Sequence, residues 1–144
     1  MGLQRIHLFL SSAWNDTRHA DRLAEWIFEQ HWQIGDATLD FRDLSIPRSD
    51  PVLDEPHSDA ARREREARIA RSHVVVVPAG LPGEAQAPVE AEIEAAHGLR
   101  RPVLAVDVQS RMGPPCTIRA KADDHCPWQD KAMISKIWRL YNDH

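Results

Sequence analysis

Three glutamates at alternate positions, Glu90, Glu92 and Glu94, sit in the segment Pro88-Val89-Glu90-Ala91-Glu92-Ile93-Glu94-Ala95-Ala96, just after the apolar run His73-Val74-Val75-Val76-Val77. Their spacing sorts them. On a helix advancing 100° per residue, Val89, Ile93 and Ala96 form one apolar stripe. Glu92 lies on the border of that stripe, whereas Glu90 and Glu94 project away from it. Glu92 is thus the carboxylate aimed at the body of the protein, early in a helix that follows a strand. In open α/β sheets ligands bind at the carboxyl ends of the strands. Two readings of Glu92 follow: a partly desolvated carboxylate available for chemistry, or a rim glutamate favoured near a helix start by the helix dipole.

Further polar groups are expected at the same edge. Ser11, Ser12, Trp14 and Asp16 follow the strand-like run Arg5–Leu10, and Arg42, Asp43 and Ser45 follow Thr38-Leu39-Asp40-Phe41. Hydroxyls, an indole, a guanidinium and carboxylates suit a ligand with ribose, base and phosphate, because sugars need paired polar groups and bases need flat apolar faces. The same residue types also serve as helix caps and turn formers, and Trp14 can pack as well as stack. No GxGxxG, GxxxxGK[ST] or GxSxG sequence occurs, which argues against a Rossmann grip, a P-loop and an α/β-hydrolase elbow.

Alternating elements must position these residues. A strand at Arg5–Leu10 leads to a helix starting near Asn15 or Asp16, with Ala20, Leu23, Ala24 and Ile27 on one face. After the strand at Thr38–Phe41, Pro47, Pro51 and Pro56 make Asp43–His57 a loop. Ser58 caps a charged helix, Asp59–Arg71. The valine run is apolar on both faces, as a central parallel strand must be. A loop from Pro78 to Ala87, the Glu92 helix and a strand at Pro102–Asp107 follow. Thr117-Ile118 is expected as a short fifth strand, and Pro127 opens a last helix with Ile134, Ile137, Trp138 and Tyr141 on one face. The pattern predicts an α/β fold: one domain over 1–144, with a flavodoxin-like, doubly wound, mainly parallel sheet of about five strands and helices on both faces.

Bulk properties narrow the function. With 144 residues, 42% hydrophobic and 28% charged, the chain can build a core. A net charge of −4 gives no basic surface for nucleic acid. No apolar run reaches the roughly 18 residues of a membrane span, and no signal peptide is evident, so a cytoplasmic protein is expected. Cys116 and Cys126 lack the CxxC spacing of a zinc site and are expected as free thiols, with no metal and no prosthetic group.

Four segments in order resemble the TIR and TIR-like domain family. Ile6-His7-Leu8-Phe9-Leu10-Ser11-Ser12, with Asp16 opening a helix, resembles its start, and Phe41-Arg42-Asp43-Leu44-Ser45 its second strand and following loop. Arg68-Ile69-Ala70-Arg71-Ser72-His73 with the valine run resembles a third segment. Val89–Ala96 followed by Arg101-Pro102-Val103-Leu104-Ala105-Val106 resembles a fourth. The resemblance covers about residues 4–107 and is nearest in style to the TIR-like, ThsB-like proteins of Thoeris antiphage systems.

That resemblance implies cleavage of the bond between nicotinamide and ribose in NAD⁺, the substrate, with hydrolysis or closure to a cyclic ADP-ribose-type signal. It maps the catalytic glutamate onto Glu92, with Ser11, Ser12, Trp14, Asp16, Arg42, Asp43 and Ser45 around the substrate. The chain departs from the family pattern in having Ser12 at a position where many members carry an aromatic residue. It also has Ala87-Pro88 where many carry a tryptophan. The resemblance further implies self-association, expected here through the 43–57 loop and the 59–71 helix, a phage-derived trigger and a downstream effector. Two alternatives stand beside the NAD⁺ enzyme: a non-enzymatic TIR-like scaffold, and a nucleoside 2-deoxyribosyltransferase-like enzyme with Glu92 as covalent nucleophile.

Overall fold

The structure is a computed structural model that describes residues 2–11, 14, 17–47, 49–55, 57–80, 86–108 and 117–143; for residues 17, 18, 86 and 117 it describes the backbone only. Ser12 and Asp16 of the expected site, and Cys116, lie outside the described residues.

The chain runs β1 (Gly2–Leu10), α1 (Thr17–Phe28), β2 (Trp32–Ile34), β3 (Ala37–Asp43), a 3-10 turn (Pro51–Asp54), α2 (Asp59–Arg71), β4 (Val74–Ala79), α3 (Gln86–Gly98), β5 (Val103–Asp107), α4 (Thr117–Lys121), β6 (Asp124–Cys126) and α5 (Asp130–Asp143). The strands form one six-stranded sheet in the order β2-β3-β1-β4-β5-β6. All neighbours are parallel except the β2–β3 pair. Without the β2 edge, this is the 2-1-3-4-5 order of flavodoxin-like sheets.

The period-two geometry of a strand divides the core. Val74 and Val76 face one way, with Ile6, Leu8, Leu104 and Val106, and are covered by Leu23 and Ile27 of α1 and by Met133, Ile134 and Ile137 of α5. Val75 and Val77 face the other way with Phe9, Val103 and Ala105, under Ile69 of α2, Val89, Ile93 and Ala96 of α3, and Ile118 of α4. The valine run is therefore buried on both faces, as a central parallel strand with helices on both sides requires.

Two strands depart from the sequence expectation. β2 pairs antiparallel with β3 through a two-residue turn, Gly35-Asp36, which Gly35 enters at φ 57°. Glycine followed by aspartate between two apolar runs is a hairpin signal. At the other edge, Thr117-Ile118 is helical, not a strand. Ile118 anchors one side of α4 while Arg119, Ala120 and Lys121 continue it as good helix formers. The strand beside β5 is instead the polar Asp124-His125-Cys126, tolerated at an edge where one face meets solvent. The 43–57 loop also contains a helical turn: Asp50 caps it by accepting from the Val52 amide at 3.0 Å, with Pro51 at its first position.

Cys126 is buried at the end of β6, and burial, with Asp107 and Asp124 nearby, pushes its thiol up to about 12. Against an ordinary 9.0 this removes about a thousandfold of thiolate. Peptide mapping after maleimide treatment at pH 7.5 is expected to find Cys126 unmodified in the native protein and fully modified after denaturation; rapid native labelling would contradict this environment.

α2 begins and ends as its sequence predicts. Ser58 accepts from the Ala61 amide at 3.1 Å, and only Ala61 and Ile69 of the helix are buried. α3 closes with Arg101 N–H on Ala96 O at 2.8 Å and Arg100 N–H on His97 O at 3.1 Å. This is a Schellman ending that places Arg100 at φ 59°, a position glycine normally fills.

Candidate active site

β1 and β4 are hydrogen-bonded neighbours although α1, β2, β3 and α2 separate them in the chain. Connections leave this pair in opposite directions, making it the switch point where ligand crevices open in such sheets. Ser11 prolongs β1 at this point, with its amide on Val76 O at 2.9 Å. Its hydroxyl donates to Glu92 Oε1. The two residues come from the carboxyl end of β1 and the early turns of α3, and both are buried: Ser11 is 4% exposed and Glu92 0%.

The helical wheel sorts the three glutamates as the structure does. Glu90 lies partly exposed with Lys121 Nζ at 3.6 Å, Glu94 is exposed, and Glu92 is enclosed. Glu92 lies deeper than the border position its spacing predicts, because the β1 end abuts α3 here and supplies the Ser11 hydroxyl. A carboxylate taken out of water costs several kcal/mol unless donors meet it. A buried carboxylate with a hydroxyl donor at the switch point is thus a deliberate feature of the fold.

The remaining expected site residues are placed as follows. Ser45 lies beside Ser11: its Oγ accepts from the Leu10 amide at 3.0 Å, and Arg68 Nη1 holds its carbonyl at 2.8 Å. Asp43 Oδ1 accepts from the Ser45 amide at 2.9 Å, so its carboxylate shapes this turn. Arg42 is exposed and pairs with Asp40 at 2.9 Å. Trp14 is 5% exposed, packs near Trp128 at 5.7 Å between ring centroids, and donates its indole N–H to Val76 O at 3.3 Å. Its ring is packed in the core rather than offered for stacking. Ser11 and Glu92 are therefore bonded to one another, Ser45 and Trp14 are bonded to backbone at the same strand ends, and Arg42 pairs with Asp40 at the surface.

At the opposite, amino edge of the sheet lies a grouping the sequence reading passed over. His73 Nδ1 accepts from the His7 amide at 2.9 Å. Its ring stacks on His7 and meets Tyr141 edge-on, with centroids 5.2 and 5.0 Å apart. Burial lowers the His73 pKa from its ordinary 6.5, and His7 and Arg101 lower it further. Both folded and unfolded chains hold this ring neutral above pH 6.5. As pH falls the unfolded chain takes the proton first, so stability is lost progressively toward the folded pKa. The melting temperature is expected to fall between pH 7 and pH 5, and less steeply in His73→Gln. Equal slopes in thermal melts of the two proteins would contradict this assignment.

Among the described residues no helix is long and apolar enough to cross a membrane, and no group of three or more metal-ligating side chains occurs.

Known proteins place the chain as follows. A solved structure, that of the Clostridium botulinum CMP N-glycosidase BcmB, is similar to it with a TM-score of 0.50 at 10% identity. The match covers 92% of this chain and 98% of that one, a likeness of fold. No curated protein is significantly similar in sequence. The family model of the TIR-like domain of the Thoeris protein ThsB matches residues 9–112, which span β1's end, the valine strand, Glu92 and β5. The chain is a member of the Thoeris ThsB TIR-like domain family.

Proposed function

We propose that this protein cleaves the N-glycosidic bond of a nucleotide, with NAD⁺ as the substrate and Glu92 acting at the ribose. The observation that carries the reading is the buried Glu92 carboxylate, bonded to Ser11 at the β1–β4 switch point. The C1′–N bond breaks with its electron pair going to the nicotinamide nitrogen, which leaves neutral and needs no general acid. Positive charge develops on the ribose as an oxocarbenium ion, and a carboxylate in a low-dielectric site stabilises it. Water then adds to C1′ and gives up a proton, or a nitrogen of the adenine adds and closes a cyclic product. Ser11 positions Glu92; Ser45 holds the adjoining turn. NAD⁺ is substrate, and the site needs no prosthetic group.

Glu92 is 0% exposed, so turnover requires the atoms covering it to move. Association of protomers is the event we assign to this step. The 43–57 loop and the 59–71 helix supply the surface, with Arg62, Arg63 and Glu66 of α2 exposed. The biological setting is antiphage signalling in the cytoplasm, with a phage-derived trigger and a downstream effector that reads the product.

A second reading draws on the likeness in fold to a CMP N-glycosidase: the Glu92 carboxylate forms an ester at C1′ of a nucleoside monophosphate, the base leaves with the electron pair and takes a proton from water, and water then hydrolyses the ester. Parallel incubations with NAD⁺ and with CMP, followed by chromatography with mass detection, separate the two. Nicotinamide release supports the first, and cytosine release with a sugar ester on Glu92 the second. Neither product, in a protein that still self-associates after Glu92→Ala, would replace both with a scaffold.

A further inference from the structure

A cavity of about 450 Å³ opens at the amino edge of the sheet, lined by Gln4, His73, Arg100, Arg101, Tyr141 and Asn142. Its size is that of a small-molecule site. It lies at the far end of the strands from Glu92, since His73 precedes β4 and Arg101 precedes β5. We propose that this cavity binds a phosphate-bearing anion, gripped by Arg100 and Arg101.

The lining is one-sided in charge. Two arginines line it and none of its lining residues is a carboxylate, in a chain whose net charge is −4. Because His73 Nδ1 accepts from the His7 amide, the neutral ring carries its proton on Nε2 and is a donor there. Gln4 and Asn142 add side-chain amides. Tyr141 donates to Gln4 Oε1 at 3.3 Å and stacks on Trp138, which fixes its ring.

The arginines are held for the task in different ways. Arg101 Nη2 is tied to Ala70 O at 2.7 Å, while its Nε is buried with no hydrogen-bond partner among the described residues. The Ala70 carbonyl thus fixes the Arg101 guanidinium through one nitrogen, leaving other donors of its fork for an oxyanion. Arg100 occupies the left-handed position of the α3 ending, where glycine would sit without strain. The planar, forked guanidinium matches phosphate oxygens in pairs. Free phosphate and a phosphate monoester share this chemistry.

The test is a titration of the full chain with inorganic phosphate and, separately, glycerol 3-phosphate, read as thermal stabilisation and by calorimetry, beside potassium chloride of equal ionic strength. Arg100→Gly is the variant of choice, because its backbone suits glycine and folding is retained. The expected result is saturable binding of at least one phosphate compound by the wild type, not reproduced by chloride, and weakened at least fivefold in Arg100→Gly. Tighter binding of the ester by tenfold or more identifies a metabolite's phosphate group as the source; equal binding identifies the free ion. Stabilisation that chloride reproduces, or titrations superimposable between wild type and Arg100→Gly, would overturn the proposal.

Discussion

Glu92→Gln is expected to lower nicotinamide release from NAD⁺ by about 10³-fold while leaving the melting temperature within a few degrees of wild type. The reasoning separates charge from shape. Glutamine keeps the outline of the side chain, and its carbonyl oxygen can still accept from the Ser11 hydroxyl, which in the wild type donates to Glu92 Oε1. The negative charge facing the developing oxocarbenium ion is lost. Removing one well-placed electrostatic partner of a transition state costs about 10²–10³ in kcat, and a full charge stands at the upper end of that range. Because the loss is confined to the transition state, kcat and kcat/KM should fall together with KM little changed. A mutant that loses activity only because it melts would implicate Glu92 in folding, and a raised KM at constant kcat would implicate it in ground-state binding.

Ser11→Ala carries the second large effect, on stability as well as rate. The Glu92 carboxylate is 0% exposed, so loss of the Ser11 donor leaves a buried charge under-satisfied, at a cost of about 2 kcal/mol. In a chain of 144 residues that lowers the melting temperature by roughly 6 °C. Removing both partners behaves differently: an apolar side chain at 92 no longer needs the hydroxyl. Ser11→Ala in a Glu92→Met background should therefore cost much less than in wild type, a coupling of about 1–2 kcal/mol in a double-mutant cycle. Additive losses, measured by denaturant unfolding, would mean that the two side chains do not support one another.

How much of this was legible in the sequence follows from the length scale of each signal. The four-valine strand, the Asp59–Arg71 helix with Ser58 as its cap, and the apolar stripes of α1, α3 and α5 are local patterns, and the structure repeats them. The glutamates were separable for the same reason, as a helical face is a local property. What joins Glu92 to Ser11 is a contact across 81 residues, and no spacing rule reaches that far. For Trp14 packing and stacking stay equally open in the sequence, because a tryptophan's sequence neighbours do not reveal whether its ring is covered; here Trp128, from the far end of the chain, packs against it. The edge strands failed differently. Asp124-His125-Cys126 is polar and carries no strand signal, whereas Gly35-Asp36 between Trp32–Ile34 and Ala37–Asp43 is a legible hairpin turn. The arginine pair at 100–101 reads as an ordinary basic helix end until the fold sets it against His73 and Tyr141.

The central claim is that the Ser11–Glu92 pair is a glycosidic-bond site acting on NAD⁺. Its most direct test is nicotinamide release by the concentrated protein under crowding, wild type beside Glu92→Gln, with products resolved by chromatography and mass. The account predicts nicotinamide, together with ADP-ribose or its cyclic isomer, from the wild type alone. Undiminished nicotinamide release by Glu92→Gln would contradict it.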